Sequence, residues 1–378
     1  MTIRTLMSTA AALTALAGPA LADINIGASI SETGPAAFLG DPEAKTLRME
    51  VEKINAEGGI IGEPINLIMY DDGGDPNKAR TFATRLVEDD EVVAVIGGTT
   101  TGTTMAMVPV YEDAEIPFIS LAGAVEIIEP VKEFVFKTPH TDRMACEKIF
   151  EDMAARGFSR IGMISGSDGF GKSMQAQCKD VAEASGVEIV ADEVYGPQDA
   201  DMTPQLTNIK GSGAEAILNS GMGQGPAVVT RNHTQLAIDA PLYQSHGVAS
   251  KQFIELAGSE AAEGVRLPAA ALLVADQLAE DDPQKPVVVG YRDGYESETG
   301  EDVSTFGGHA YDALYILKAA IESAGSTEPA AIRDAIEATS GFVGTAGEVN
   351  FSGDDHLGLT LDAFEMLEIK DGNWTIVE

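Results

Sequence analysis

From Asp23 onward the chain alternates short apolar runs with amphipathic stretches, and few architectures accept that order. INIGASIS leads into KTLRMEVEKINAEGG, INLIMYDD into PNKARTFATRLVEDD, and VVAVIGG into MAMVPVYEDAEI. PFISLAG, RIGMISG, EIVADEVYG and AEAILNSG continue the series, with helix-like segments around Cys146 and Cys178 and the amphipathic PQLTNIKGSG between them. Apolar runs of this kind read as strands buried on both faces, and strict strand–helix alternation places them in parallel sheets covered by helices. Gly58, Gly59, Gly157, Gly186, Gly213 and Gly325 fall where those helices should stop. The predicted class is α/β. Late in the chain VNFSGDDHLGL, LDAFEMLEIKDG and NWTIVE break the alternation and read as added antiparallel strands.

At 378 residues the chain has room for two domains. Residues 1–22 read as a cleavable secretory signal peptide: Arg4, an alanine-rich apolar run, then the small-x-small sequence Ala20-Leu21-Ala22. No cysteine stands at that point to carry a lipid, and no later run approaches the ~20 apolar residues of a membrane span. The mature chain is expected to be soluble and periplasmic. A formal net charge of −36 argues against nucleic acid and anionic membranes as partners. It also repels anionic ligands at long range, so a bound acid must be held by short-range donors in a cleft. Cys146 and Cys178 are expected to be separate buried thiols, although an oxidising compartment permits a bridge.

The stretch VVAVIGGTTTGTT at residues 92–104 concentrates the candidate chemistry. A buried strand opens into a loop of small and hydroxyl-bearing residues before a helix, and such a place suits a polar or anionic small molecule. An ordinary threonine N-cap is the other reading of the same residues. Three further strand ends open into polar, glycine-rich loops, at residues 71–75, 166–171 and 221–225. In open parallel sheets ligands gather at such carboxyl ends, and two facing sheets would enclose a cleft. The GSDGFG loop at 166–171 lacks GxGxxG spacing, and DDGGD at 71–75 lacks the ligand spacing of a calcium loop. His140, His233, His246, His309 and His356 are scattered and form no short-range metal pair. There is no GxSxG, and neither cysteine sits beside a recognisable base. No cofactor or metal is expected, and no catalytic residue is assigned.

With these loops assembled, the whole mature chain resembles the periplasmic binding proteins of branched-chain amino acid ABC uptake systems. The motifs that carry the resemblance are SETGPAAFLGDPEAKTLRMEVEKINAEGGIIG, YDDGGDPNKARTFATRLVEDDEVVAVIGG, GFGKSMQAQCKDVAEASG, FIELAG and YDALYILKAAIESAGS. The resemblance implies a two-lobed type I periplasmic binding protein fold, each lobe a parallel sheet flanked by helices, with three interlobe crossovers near residues 140, 268 and 345. It places residues 23–140 and 269–345 in lobe 1, and 141–268 with 346–378 in lobe 2. The implied partners are a small-molecule ligand and an ABC permease in the inner membrane, for a chain that is itself a monomer.

The resemblance also implies site residues. Thr100, Thr101 and Gly102 match the hydroxyl-bearing loop of the first lobe, with Thr101 at the side-chain contact. Leu121, Ala122, Gly123 and Ala124 match a second loop, where Ala124 replaces a threonine. Phe170 stands where the family has the tyrosine of a DYG motif, His246 stands for a glutamate that pairs with an amino acid's ammonium, and the remaining tyrosine loop falls near Met222 and Gly223. Leu39 and Phe38 offer apolar surface. Three groups that recognise a zwitterion are replaced together, so the ligand is expected to be an organic acid without an α-amino group. Arg143 is a candidate cation for that acid, a surface salt bridge being its alternative fate. A branched-chain or other amino acid remains the alternative ligand. A ligand sensor of the same fold and an exported enzyme built on His246 are the other classes.

Overall fold

The computed structural model of the protein describes residues 23–377, so the expected signal peptide lies outside the described residues. The first sheet contains β1 (Ile24–Ile30), β2 (Ile65–Asp71), β3 (Ala94–Gly97), β4 (Phe118–Ser120) and β5 (Val135–Lys137). All pair in parallel, in the order β2-β1-β3-β4-β5. Crossovers run through α1 (Ala37–Ala56), α2 (Pro76–Glu88) and α3 (Thr101–Ala114).

After α4 (Asp142–Ala155) the second sheet is laid down by β6 (Arg160–Gly166), β7 (Glu188–Tyr195), β8 (Ala216–Ser220), β9 (Leu242–Gln244) and β10 (Arg266–Ala269). Its connecting helices are α5 (Gly169–Ala182), α6 (Thr203–Gly211), α7 (Gly225–Gln235), α8 (Lys251–Ala257) and α9 (Ser259–Ala262). Then come α10 (Lys285–Thr299), α11 (Thr305–Ala324) and α12 (Pro329–Glu337), and a small ribbon of β11 (Phe342–Val343) and β12 (Glu348–Val349). The chain closes with β13 (Glu365–Lys370) and β14 (Asn373–Ile376), an antiparallel hairpin on the edge of the second sheet, whose order is β14-β13-β10-β9-β8-β6-β7. Strand order reverses between β1 and β3 in one sheet and between β6 and β8 in the other. Those switch points are where loops splay apart and leave a crevice.

Each sheet has its own apolar core, so the molecule divides into two lobes. In the first, Ile26, Ile30 and Ile96 pack with Leu314, Leu317 and Ile321 of α11, which brings the chain back from the second lobe. The final return was expected near residue 345, and it lies later. Val349, Phe351, Leu357 and Leu359 still bury in the first core, with the Phe351 ring 5.4 Å from Phe136, and only from Phe364 does the chain join the second. VNFSGDDHLGL is correspondingly not a strand of the sheet. It makes the short β12, one isolated bridge between Ser352 and Asp355, and a buried His356 whose Nδ1 lies 2.8 Å from the Val135 carbonyl.

Two further expectations are corrected. Cys146 on α4 and Cys178 on α5 are not separate thiols but a disulfide, their Cα atoms 5.1 Å apart within the second lobe's core. The two helices pack face to face there, a proximity that sequence separation does not encode. The helix after β3 starts at Thr101 rather than Met105, so part of the threonine loop is helical. Gly97 and Gly98 make that entry possible: both have positive φ, and Cβ atoms there would fall 2.4 Å from the Ser29 carbonyl and 2.2 Å from Thr104 Oγ1. No helix among the described residues is long and apolar enough to cross a membrane.

Candidate ligand-binding site

The first wall of the site grows from the end of β3. Thr100 caps α3, its hydroxyl accepting from the Thr103 N–H at 3.1 Å while Thr103 Oγ1 accepts from the Thr100 N–H at 3.1 Å. The cap reading of the threonine loop holds for Thr100. Thr100 is the cap, whereas Thr101, the first helical residue, is buried with a hydroxyl that has no partner. Thr99 is tied down from below, donating to Glu43 Oε2 at 2.6 Å and accepting from the Ser31 N–H at 2.9 Å.

The loop after β4 forms the adjoining wall. Leu121 N–H donates to the Gly97 carbonyl at 3.0 Å, and Lys137 Nζ donates to the carbonyls of Gly123 at 3.0 Å, His140 at 3.4 Å and Ala124 at 3.5 Å. Lys137 is fully buried with carbonyls as its partners, and burial pushes its ammonium down to about 7 against the opposing pull of Asp142.

The second lobe meets these loops directly. Phe170 in the first turn of α5 and His246 in the turn after β9 close on Gly123, where a Cβ would lie 2.9 Å from both His246 Nε2 and Phe170 Cε2. A side chain at that position would push one of the two rings aside. Between the lobes is a cavity of about 40 Å³ whose walls include Thr101, Phe170, His246, Phe306 and Phe364. Among the described residues, no Asp, Glu, Lys or Arg lines it.

Three histidines do line it: His140 beyond β5, His246, and His309 in the second turn of α11. The His140 ring stacks on Phe364 at 3.8 Å between centroids, and His246 meets Phe170 and Phe364 edge-on at 5.4 and 5.5 Å. Burial, with Lys137 and His309 nearby, pushes His246 down to about 3. Burial beside Lys137 does the same to His309, down to about 3, and His140 is held well below the ordinary imidazole range by burial and by the other two rings. Burial thus favours the neutral ring in all three, and His140 Nε2, His309 Nδ1 and both His246 nitrogens have no hydrogen-bond partner among the described residues.

Residues 23–373 match the family described as periplasmic binding protein. The chain belongs to the periplasmic binding protein family. Among its relatives, a leucine-, isoleucine-, valine-, threonine- and alanine-binding protein of Pseudomonas aeruginosa is 25% identical over 321 residues, 84% of this chain and 83% of that one. A Leu/Ile/Val-binding protein of Rhizobium johnstonii is 26% identical over 384 residues and the whole of both chains. Among solved structures, an extracellular ligand-binding receptor from Rhodopseudomonas palustris superposes with a TM-score of 0.88 at 28% identity, over 94% of this chain and 100% of that one. A branched-chain amino acid transporter substrate-binding protein from Streptococcus pneumoniae, in complex with isoleucine, gives 0.84 at 25% identity, over 94% and 99%. The relatives named by ligand are amino acid binders, not binders of the organic acids that the substitutions suggested. They are binding proteins rather than enzymes, and the family's setting is the periplasm.

In this periplasmic binding protein the sequence-predicted residues fall into four groups. Leu39, Thr100, Thr101, Leu121, Gly123 and Phe170 come together around the cavity, as do Met222 and His246. Gly102 and Gly223 line instead a larger outer cleft of about 730 Å³, where all four glycine-rich strand-end loops converge. Ala122 and Ala124 are buried in the first lobe's core beneath the loop, their side chains packed away from the cavity. Arg143 is at the surface: its guanidinium pairs with Glu129 at 2.6 Å and donates to Gln177 at 2.7 Å, so it supplies no cation to the cavity.

Thr99, His140, Phe306, His309 and Phe364 were not foreseen as lining residues. For His309 a signal existed. It lies four residues before Ala313 and eight before Leu317, on the buried face of α11, where an imidazole has no packing reason to be.

Proposed function

We propose that this periplasmic binding protein is the solute-capturing component of an ABC importer, and that it takes a small amino acid of the branched-chain group. The observation that carries this reading is the interlobe cavity, in which hydroxyl and imidazole groups from both lobes stand unpartnered among apolar walls. A cavity of about 40 Å³ admits such a ligand only when the lobes part and reclose on it, a hinge motion about the interlobe crossovers. The Thr101 hydroxyl and the loop before Gly123, with Lys137 behind it, suit the carboxylate. Leu39, Phe306 and Met222 suit an aliphatic side chain. The names of the relatives favour this ligand class, and the disulfide agrees with an oxidising compartment. A membrane permease would receive the ligand from the closed monomer.

One observation favours a second reading, an organic acid without an amino group: among the described residues no carboxylate lines the cavity to meet an ammonium. Calorimetric titration with leucine, isoleucine, valine and α-ketoisocaproate separates the two, because the keto acid differs from leucine chiefly at the amino group. One-to-one binding of leucine supports the first reading, and binding of the keto acid alone supports the second. Ligand at a hundred times its Kd should also stabilise the fold by about 2.7 kcal/mol.

A further inference from the structure

Five buried side-chain polar atoms without a hydrogen-bond partner surround one small cavity: Thr101 Oγ1, His140 Nε2, both ring nitrogens of His246, and His309 Nδ1. The other four such atoms among the described residues, on Ser165, Gln205, Ser220 and His356, do not line it. Each of the three rings is more than nine-tenths buried. They come from three separated segments, the end of the first lobe, the turn after β9 and α11, and among the described residues no salt bridge reaches any of them. Apolar side chains would pack this space at lower cost, so the imidazoles are not there for the fold.

A neutral imidazole has one N–H and one bare, accepting nitrogen. Each of the three buried rings, when uncharged, therefore offers one accepting nitrogen. An alkylammonium has the opposite inventory, donors and no acceptor.

We propose that His246, with His140 and His309 beside it, accepts the hydrogen bonds of the ligand's ammonium group, so that this site captures its amino acid only while the rings are uncharged. The proposal rests on the amino-acid reading above.

The charged groups facing the rings fit this assignment. From β5, Lys137 stands behind the Gly123 and Ala124 carbonyls, where it favours a ligand carboxylate and opposes a proton on the rings. From α4, Asp142 is occupied by the Val125 and Arg143 N–H groups and the Ser173 hydroxyl. From α11, Asp312 is turned to Thr345 and Ala346. From α5, Asp168 caps its own helix at the Gly171 N–H. From α1, Glu43 is bonded to Thr99, and Asp362 before β13 is exposed. Among the described residues no carboxylate is left to meet an ammonium, which leaves the imidazoles as the side-chain acceptors.

The proposal requires that parting the lobes lets water reach the rings and brings them back toward the ordinary imidazole value of about 6.5. Closure on an amino acid then expels one proton for each charged ring. Leucine affinity should therefore fall about tenfold per pH unit below that value for each ring that must be neutral. Calorimetry with leucine should show at least about a thirtyfold loss of affinity between about pH 7.5 and about pH 5, with proton release measured by comparing buffers of different ionisation enthalpy. His246→Gln retains an accepting oxygen but does not titrate. It should hold leucine within about tenfold of the parent near neutral pH and lose about one unit of the pH slope, whereas His246→Leu loses binding. Thermal melts of each variant check that it folds, and the parent's own pH profile needs no variant.

A leucine affinity that stays flat across this pH range, or a His246→Gln protein with the full slope, overturns the proposal and leaves the amino-acid reading standing. If leucine, isoleucine and valine all fail to bind while α-ketoisocaproate binds more tightly on acidification, the amino-acid reading falls and the proposal falls with it.

Discussion

Two buried polar regions meet at Thr99, and they are built on opposite terms. Beneath the threonine loop, the Asp72 carboxylate accepts from the hydroxyls of Ser29 at 2.9 Å and Ser31 at 2.6 Å and from the Gly74 N–H at 2.9 Å, and Glu43 and Thr99 complete the network. Above it, the cavity holds five polar atoms with no partner at all. The same contrast recurs along α11. Asp312 receives three hydrogen bonds from Thr345 and Ala346, while three residues earlier His309 leaves Nδ1 bare. A saturated network holds a shape. An unsaturated one, kept at a cost to stability, is there for something that enters.

The contrast breaks most visibly at Asp72. Asp72→Ala strands two buried hydroxyls and an N–H, so it should lower unfolding stability by about 3 kcal/mol or more in urea titrations. A loss below about 1 kcal/mol would mean the network is not what holds the loop.

The bare histidines and the saturated Asp312 should also differ in the sign of their pH dependence. With the lobes closed, burial lowers His246 and His309 to about 3, below the unfolded imidazole, so the dependence that follows is that of the closed form. Their contribution is complete above about pH 6.5 and is lost as pH falls from there toward 3, at up to about 1.4 kcal/mol per unit for each ring. Asp312 is raised from 3.8 to about 7, so between those values the folded state holds the extra proton, and its contribution is lost as pH rises. Denaturation midpoints across this range should flatten on the acid side in His309→Asn and show the opposite change in Asp312→Asn.

Thr101→Val is a smaller and sharper case. It replaces an unpartnered hydroxyl with a methyl of similar shape, so stability should hold or rise by up to about 1 kcal/mol while ligand affinity falls about tenfold. Loss of stability with unchanged affinity would reverse the assignment of that residue. Arg143→Ala marks the lower bound: its surface ion pair is worth about 0.5 kcal/mol or less, and ligand affinity should not change.

Much of this was legible in the sequence wherever the cause is local. Apolar runs set the strands, and strand-end glycines and threonines set the loops, because backbone conformation and capping depend on neighbouring residues. Phe170, Met222 and His246, singled out by the family resemblance, do line the cavity. What was not legible depends on packing between distant segments. His140, His246 and His309 look scattered because nothing within a few residues of any one of them refers to the other two, and the crossovers bring them together. The same holds for Cys146 and Cys178, joined by the packing of α4 on α5, and for residues 349–359, whose side chains choose the first core over the second.

The central claim is that the histidine-lined cavity is where the solute is held. A crystal structure of the protein grown with leucine tests it most directly. The predicted result is one ligand between the lobes, its carboxylate within hydrogen-bond reach of the Thr101 hydroxyl and its amino nitrogen within reach of a His246 ring nitrogen. Ligand held instead in the outer cleft beside Gly74 and Asp168, with the His246 ring still unpartnered, would contradict it.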